Sequence, residues 1–224
     1  MSFNFGTKVI IFLQINLMIQ NLQQLEIYSN FAPQNIIIMN TTDQKEYYDQ
    51  YEASLREQLV SMLAGTGKLQ RGVLPESPDI ASTWDAVAPS YIADAAKEIV
   101  KYPAVSLGWA MYLGMAVAKY WDTDWAIYGK HPNIYEHIRD IRGFDCMDEA
   151  VRAEILQLTG EDYNNTESMV LSCSRLALSK IRAEGIEPAT PAAFYVYTLS
   201  CKVLYTIGAA VQLTRLGYKM EKME

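Results

Sequence analysis

The chain has 224 residues, half of them hydrophobic and a fifth charged, which excludes a disordered or fibrous protein and allows one domain with a sizeable core. Twenty-six acidic against 19 basic side chains give a net charge of -7, which repels a phosphate backbone and argues against nucleic acid as a partner. Cys146, Cys173 and Cys201 stand 27 and 28 residues apart, so neither a disulfide framework nor a zinc knuckle is expected, and a reducing, cytoplasmic setting fits.

Residues 1–38 differ in kind from the rest. They hold two charged side chains, Lys8 and Glu26, eight Ile, four Phe and a single Ala, whereas residues 39–224 hold the other 43 charges and 22 Ala. Ile, Phe and Asn are what AT-rich DNA encodes when read without selection. The expectation is therefore a misassigned start, with the native chain beginning at Met39 and residues 39–224 forming one helical domain. An ordered extension and a secretory segment are the rivals. Against the second, Gln14 and Asn16 interrupt the apolar run and no small-x-small cleavage pattern precedes Pro33.

From residue 41 the chain reads as successive helices. Tyr48, Tyr51, Leu55, Leu59 and Met62 recur at helical spacing up to Gly65, a natural stop. Residues 65–82, with Gly67, Gly72, Pro75 and Pro78, read as a long connector. Helical pattern resumes near Thr83, is reset by Pro89 and continues to Lys101. From Pro103 an apolar stretch rich in Gly and Ala predicts a central helix over about 103–125. Ile134, Ile138 and Ile141 mark a short helix before Gly143. Another opens at Asp145, carries Val151, Ile155 and Leu158, and is stopped by Gly160. A further helix spans about Thr166 to Glu184, and Thr190-Pro191 caps a second long apolar helix over about 191–216. No strand alternation bounded by hairpin turns follows residue 39. The expected fold class is all-α, an antiparallel bundle of six or seven helices around the 103 and 191 helices. Both of these open on Pro-Ala, and Gly114-Met115-Ala116-Val117 is similar to Gly208-Ala209-Ala210-Val211. The intervening spacing differs by six residues, which argues against a repeat. Diluted by Gly, Ser and Thr, the two helices read as soluble core rather than membrane spans.

Several motifs fail on inspection. Gly65-Thr66-Gly67-Lys68 lacks the earlier glycine and the following hydroxyl of a phosphate loop. A helix-turn-helix over Val151 to Ser174 has too long and too acidic a middle, and its second helix has no basic residue before Arg175. Repeated Glu-x-x-His pairs, the mark of di-iron bundles, are absent. No metal or other cofactor is indicated.

Unusual residues gather between Trp109 and Asp140, where three of four tryptophans and both histidines lie. If the helix continues past Lys119, Trp121, Trp125 and Tyr128 share a face flanked by Asp122 and Asp124. His137 stands three residues before Asp140, whose carboxylate is expected to favour the charged imidazole; His131 is the other imidazole. Lys119 and Lys202 are the only charges in the long apolar stretches of the two central helices, and facing one cavity with Asp122 or Asp124 they would form an anion site. The leading expectation is a non-enzymatic, soluble protein that binds partners or itself, as a homo-oligomer, through this aromatic surface. The alternative is an enzyme or sensor with a small-molecule pocket at Trp121, Trp125, Tyr128 and His137. A membrane-associated protein is the weaker alternative.

Overall fold

In the computed structural model the two apolar helices touch backbone to backbone. They are α3 (Pro103–Tyr128) and α7 (Pro191–Arg215). A Cβ on Gly114 would lie 1.9 Å from the Tyr205 carbonyl oxygen, and one on Gly208 2.1 Å from that of Met111. Each glycine thus receives the carbonyl three residues before the other, and no side chain fits between. The similarity of the two glycine-bearing segments marks this crossing. The structure describes residues 41–219 apart from 73 and 100, so the expectation for residues 1–38 lies outside the described residues. The chain divides into two units between Gln44 and Lys45, and the second, Lys45–Glu224, holds the bundle.

Around the central pair stand α1 (Thr41–Gly65), α2 (Pro78–Glu98) and α6 (Gly160–Ala183), with the short α4 (Ile134–Arg139) and α5 (Met147–Ala150) beside them. All regular structure among the described residues is helical, as the sequence pattern predicts. Polar contacts give the directions. Tyr197 lies beside Ser106 near the starts of α7 and α3, and the Tyr218 hydroxyl donates to Asp122 at 3.0 Å near their ends, so the central pair runs parallel. α2 runs antiparallel to both: its start meets α7 where the Tyr205 hydroxyl donates to the Ile80 carbonyl at 2.8 Å, and farther along Tyr91 donates to the carbonyl of Ser106. α6 is antiparallel as well, since Arg215 donates to Thr166 at 3.0 Å while Lys180 sits over the Tyr51 ring, whose hydroxyl pairs with Ser200 at 2.7 Å. The expected antiparallel packing therefore holds between the central helices and these neighbours. The central pair itself is parallel because α6 carries the chain back between them.

Four features depart from expectation. The connector after Gly65 ends at Ser77, and α2 begins with Pro78 at its first position and Asp79 in its first turn, the placement a missing N–H and a helix N-terminus favour. It passes through Pro89 without breaking. The carbonyl four residues earlier belongs to exposed Asp85, where water can take the place of the lost bond. Gly160, expected to stop a helix, starts α6 instead: its φ is 58°, Thr159 before it is extended, and Glu161 and Asp162 fall in the favourable first turn. The helix expected from Asp145 is split into a 3-10 turn (Phe144–Cys146), α5 and a π turn over Val151–Ile155.

Arg152, in that π turn, is the one charged side chain among the buried polar residues of the described part, 3% exposed. It reaches Asp148 at 2.8 Å and Glu167 at 2.7 Å and lies 4.1 Å from the centre of the Tyr163 ring. A charge so placed must be paired and hydrogen-bonded. This one pins the turn to α6, and the sequence pattern does not reveal it.

The glycine contact has a direct consequence. Gly114→Ala is expected to cost about 3 kcal/mol or more in urea unfolding, because backbone cannot yield as a side chain does. Gly65→Ala, with nothing within 4 Å of the new Cβ, is expected to stay within about 1 kcal/mol of the parent.

Candidate functional site

The site begins where α3 breaks. Asp124 has φ -165° and ψ 85°, an extended residue inside an otherwise helical run, and its Oδ1 accepts from the Ile127 amide at 3.2 Å. An aspartate thereby ends one helix and caps one more turn, a role its short acceptor side chain suits. The final turn holds Trp125 and Tyr128. Trp125 folds back over Gly129, where a Cβ would come within 2.8 Å of the indole Cε2. Only glycine leaves that space open.

The break changes the expected aromatic face. Trp125 and Tyr128 line a cleft, whereas Trp121 turns to the start of α2, donating from Nε1 to Asp79 Oδ2 at 3.2 Å, with Tyr218 edge-on at 5.5 Å. The cleft has a volume of about 290 Å³. Its other wall is the first turns of α2, where Asp79, Ser82 and Thr83 face it; His131 and Pro132 close one side. Ser82 and Thr83 donate their hydroxyl protons to the Asp79 carbonyl at 3.0 and 2.8 Å.

A polar seam holds the walls together. Asn133 caps α4 by accepting from the Tyr135 amide at 3.2 Å, and its Nδ2 donates to Ser90 of α2 at 2.8 Å. The Tyr135 hydroxyl and Arg139 donate to Asp94 at 2.8 and 3.2 Å. Burial works against the Asp94 charge, but the hydrogen bonds from Tyr135, Lys97 and Arg139 prevail and hold its carboxyl below the ordinary value.

Beside the cleft runs a ladder of rings. Tyr120 stacks on Tyr128 at 4.0 Å, and His131 on His137 at 4.6 Å, with Tyr128 and His131 6.4 Å apart. Asp140 does favour the charged form of His137, as expected, but does not prevail. Burial and the neighbouring His131 lower its pKa, and the opposing pull of Asp140 is smaller. Asp140 instead accepts from Arg139 Nε at 2.9 Å and is largely exposed.

The remaining candidates scatter. Lys119 pairs with Asp122 at 3.6 Å on its own helix, and Lys202 reaches Glu52 of α1 at 2.9 Å. The two lysines therefore do not share a cavity. Asp122 is taken up by Lys119 and Tyr218. Trp109 is 7% exposed, edge-on to Phe144 at 4.4 Å, and borders a different cleft with Glu98, Tyr102, Val105 and Asp145. Of the predicted residues, Trp125, Tyr128 and His131 come together, and His137 and Trp121 stand directly behind them. Asp79, Ser82 and Thr83 escape sequence reasoning because residues 65–82 read as connector. Ser77-Pro78-Asp79 is the pattern that would have shown the helix start.

No protein-family model matches this chain, and no curated protein or solved structure matches it either.

His137 gives the site a pH dependence of known sign. Its folded pKa lies below the unfolded value of about 6.5, so the unfolded chain takes up more protons as pH falls through that value. Its contribution to stability is present above the unfolded pKa and lost on acidification. Urea midpoints measured from about pH 7.5 to 5.5 are expected to fall less in His137→Gln than in the parent. An equal or steeper fall in the variant would contradict this.

Proposed function

We propose that the protein acts by binding rather than by catalysis, and that the cleft between the first turns of α2 and the broken end of α3 holds a small ligand. One observation carries the reading: two walls remote in sequence, Asp79, Ser82 and Thr83 on one and Trp125, Tyr128 and His131 on the other, converge on one space of about 290 Å³. Aromatic faces with a few fixed polar groups are the usual lining of a ligand site, and this volume falls just below their usual range, which begins at about 300 Å³. Against catalysis by Cys173 or Cys201, their buried thiols are pushed up to about 12, far from a reactive thiolate.

A second reading is self-association. Tyr102 and Val105 are 60% and 37% exposed beside buried Trp109, an apolar patch that a second copy would cover. Both readings belong to a soluble, cytoplasmic protein with no nucleic-acid partner, in keeping with the net charge of -7. Among the described residues α7 is long and apolar enough to cross a membrane, yet two-thirds of its apolar window is buried against the bundle; that burial supports a core role.

Native mass spectrometry of the full chain separates the two. The cleft reading expects a small retained mass that denaturation releases and that Trp125→Ala fails to retain. A ligand-free dimer would favour self-association, and a bare monomer would count against both.

A further inference from the structure

The chemistry of the cleft walls narrows the ligand class. On the α2 wall the side-chain polar groups can only accept. Asp79 is a carboxylate whose Oδ2 takes the Trp121 indole N–H, leaving Oδ1 without a partner among the hydrogen bonds of the described residues. The hydroxyls of Ser82 and Thr83 donate to the Asp79 carbonyl, which can only accept, and that of Thr83 also meets the buried Tyr205 hydroxyl. What these two groups can offer the cleft is lone pairs. The facing wall brings the rings of Trp125 and Tyr128, whose electron-rich faces attract a cation.

Two fields compete here. The N-terminus of a 21-residue helix favours an anion. Asp79 sits in its first turn and answers that partial charge with a full one. The acceptors of the α2 wall and the rings of Trp125 and Tyr128 then remain, beside the N–H and O–H groups of Trp125, Tyr128 and His131, on a chain whose overall charge of -7 draws cations toward it. Resting on the cleft reading above, we infer that the site takes a small organic ammonium ion: its N–H groups donate to Asp79 and the α2 hydroxyl oxygens while its apolar body lies against Trp125 and Tyr128. Size agrees, since a cavity of about 150 Å³ admits benzene and this one is about 290 Å³. Trp121 is a positioning residue in this scheme, holding the carboxylate from behind.

The test uses three probes that share one ring and differ in charge: benzylammonium, benzyl alcohol and benzoate. Each is titrated to about 10 mM into the full chain, a range that reads millimolar affinity, while the Trp125 indole and the amides of residues 79–83 and 125–131 are followed by NMR. Benzylammonium is expected to bind about tenfold or more tightly than benzyl alcohol, and benzoate not at all. Asp79→Asn, which retains an acceptor for Trp121, is expected to abolish that preference, bringing benzylammonium down to the affinity of benzyl alcohol. Equal or tighter binding of benzyl alcohol or benzoate at these same amides would overturn the ammonium assignment and leave the cleft reading standing. If none of the three moves them, the cleft reading falls as well. Should Asp79→Asn fail to fold, the order of the three probes on the parent protein decides alone.

Discussion

The contact between Gly114 and Gly208 is the constraint on which the rest of this fold depends. Carbonyl oxygens of the partner helix occupy the places where both β-carbons would stand. Two helices that close cannot be separated by side chains, so the residues to either side must be small or fit around the crossing. Ala110, Ala118, Ala209 and Ala210 are all buried along the pair. The closeness increases dispersion contact between the two helices and explains why α3 is apolar on every side. It is surrounded by α7, α6 and α2, and from Ser106 to Ala118 has no solvent face.

The position of the cleft follows from that centre. With α3 and α7 parallel and α2 antiparallel to both, the start of α2 must meet the end of α3. Left straight, α3 would continue Trp121, Trp125 and Tyr128 along one line. Asp124 breaks the line, so that Trp121 backs the Asp79 carboxylate while Trp125 and Tyr128 face it across a gap. The hydrogen bonds from Asn133, Tyr135 and Arg139 to Ser90 and Asp94 then hold the segment after the break against α2. Core geometry, one backbone break and one polar seam together produce the site.

Much of this was legible in the sequence because glycine and proline punctuate it. Gly65, Pro103, Gly143 and Thr190-Pro191 each mark a boundary the structure keeps, and the two apolar stretches stand at the centre. Other features were hidden for physical reasons. A proline at a helix start and one inside a helix look alike until it is known which carbonyl water can reach, as at Pro78 and Pro89. A glycine with positive φ serves a helix start or a stop equally well, which is why Gly160 misleads. Asp124 is an ordinary aspartate in sequence, and its capping of Ile127 arises only where the packing ends the straight helix. The lowered pKa of His137 depends on its burial and on its stack with His131, neither of which spacing along the chain reveals. The parallel run of α3 and α7 depends on α6 passing back between them.

The direction of the central pair is the claim most open to direct measurement. Spin labels can be placed on exposed Thr123 together with either Tyr218 or Tyr195, with Cys146 replaced and the buried Cys173 and Cys201 left as they are. Residues 195 and 218 lie about 35 Å apart along a helical rise of about 1.5 Å per residue. Pulsed electron resonance is expected to give a short distance for the pair 123–218 and one longer by roughly 30 Å for the pair 123–195. The reverse order would mean that the central helices are antiparallel, and the account of the glycine contact and the cleft would fail with it.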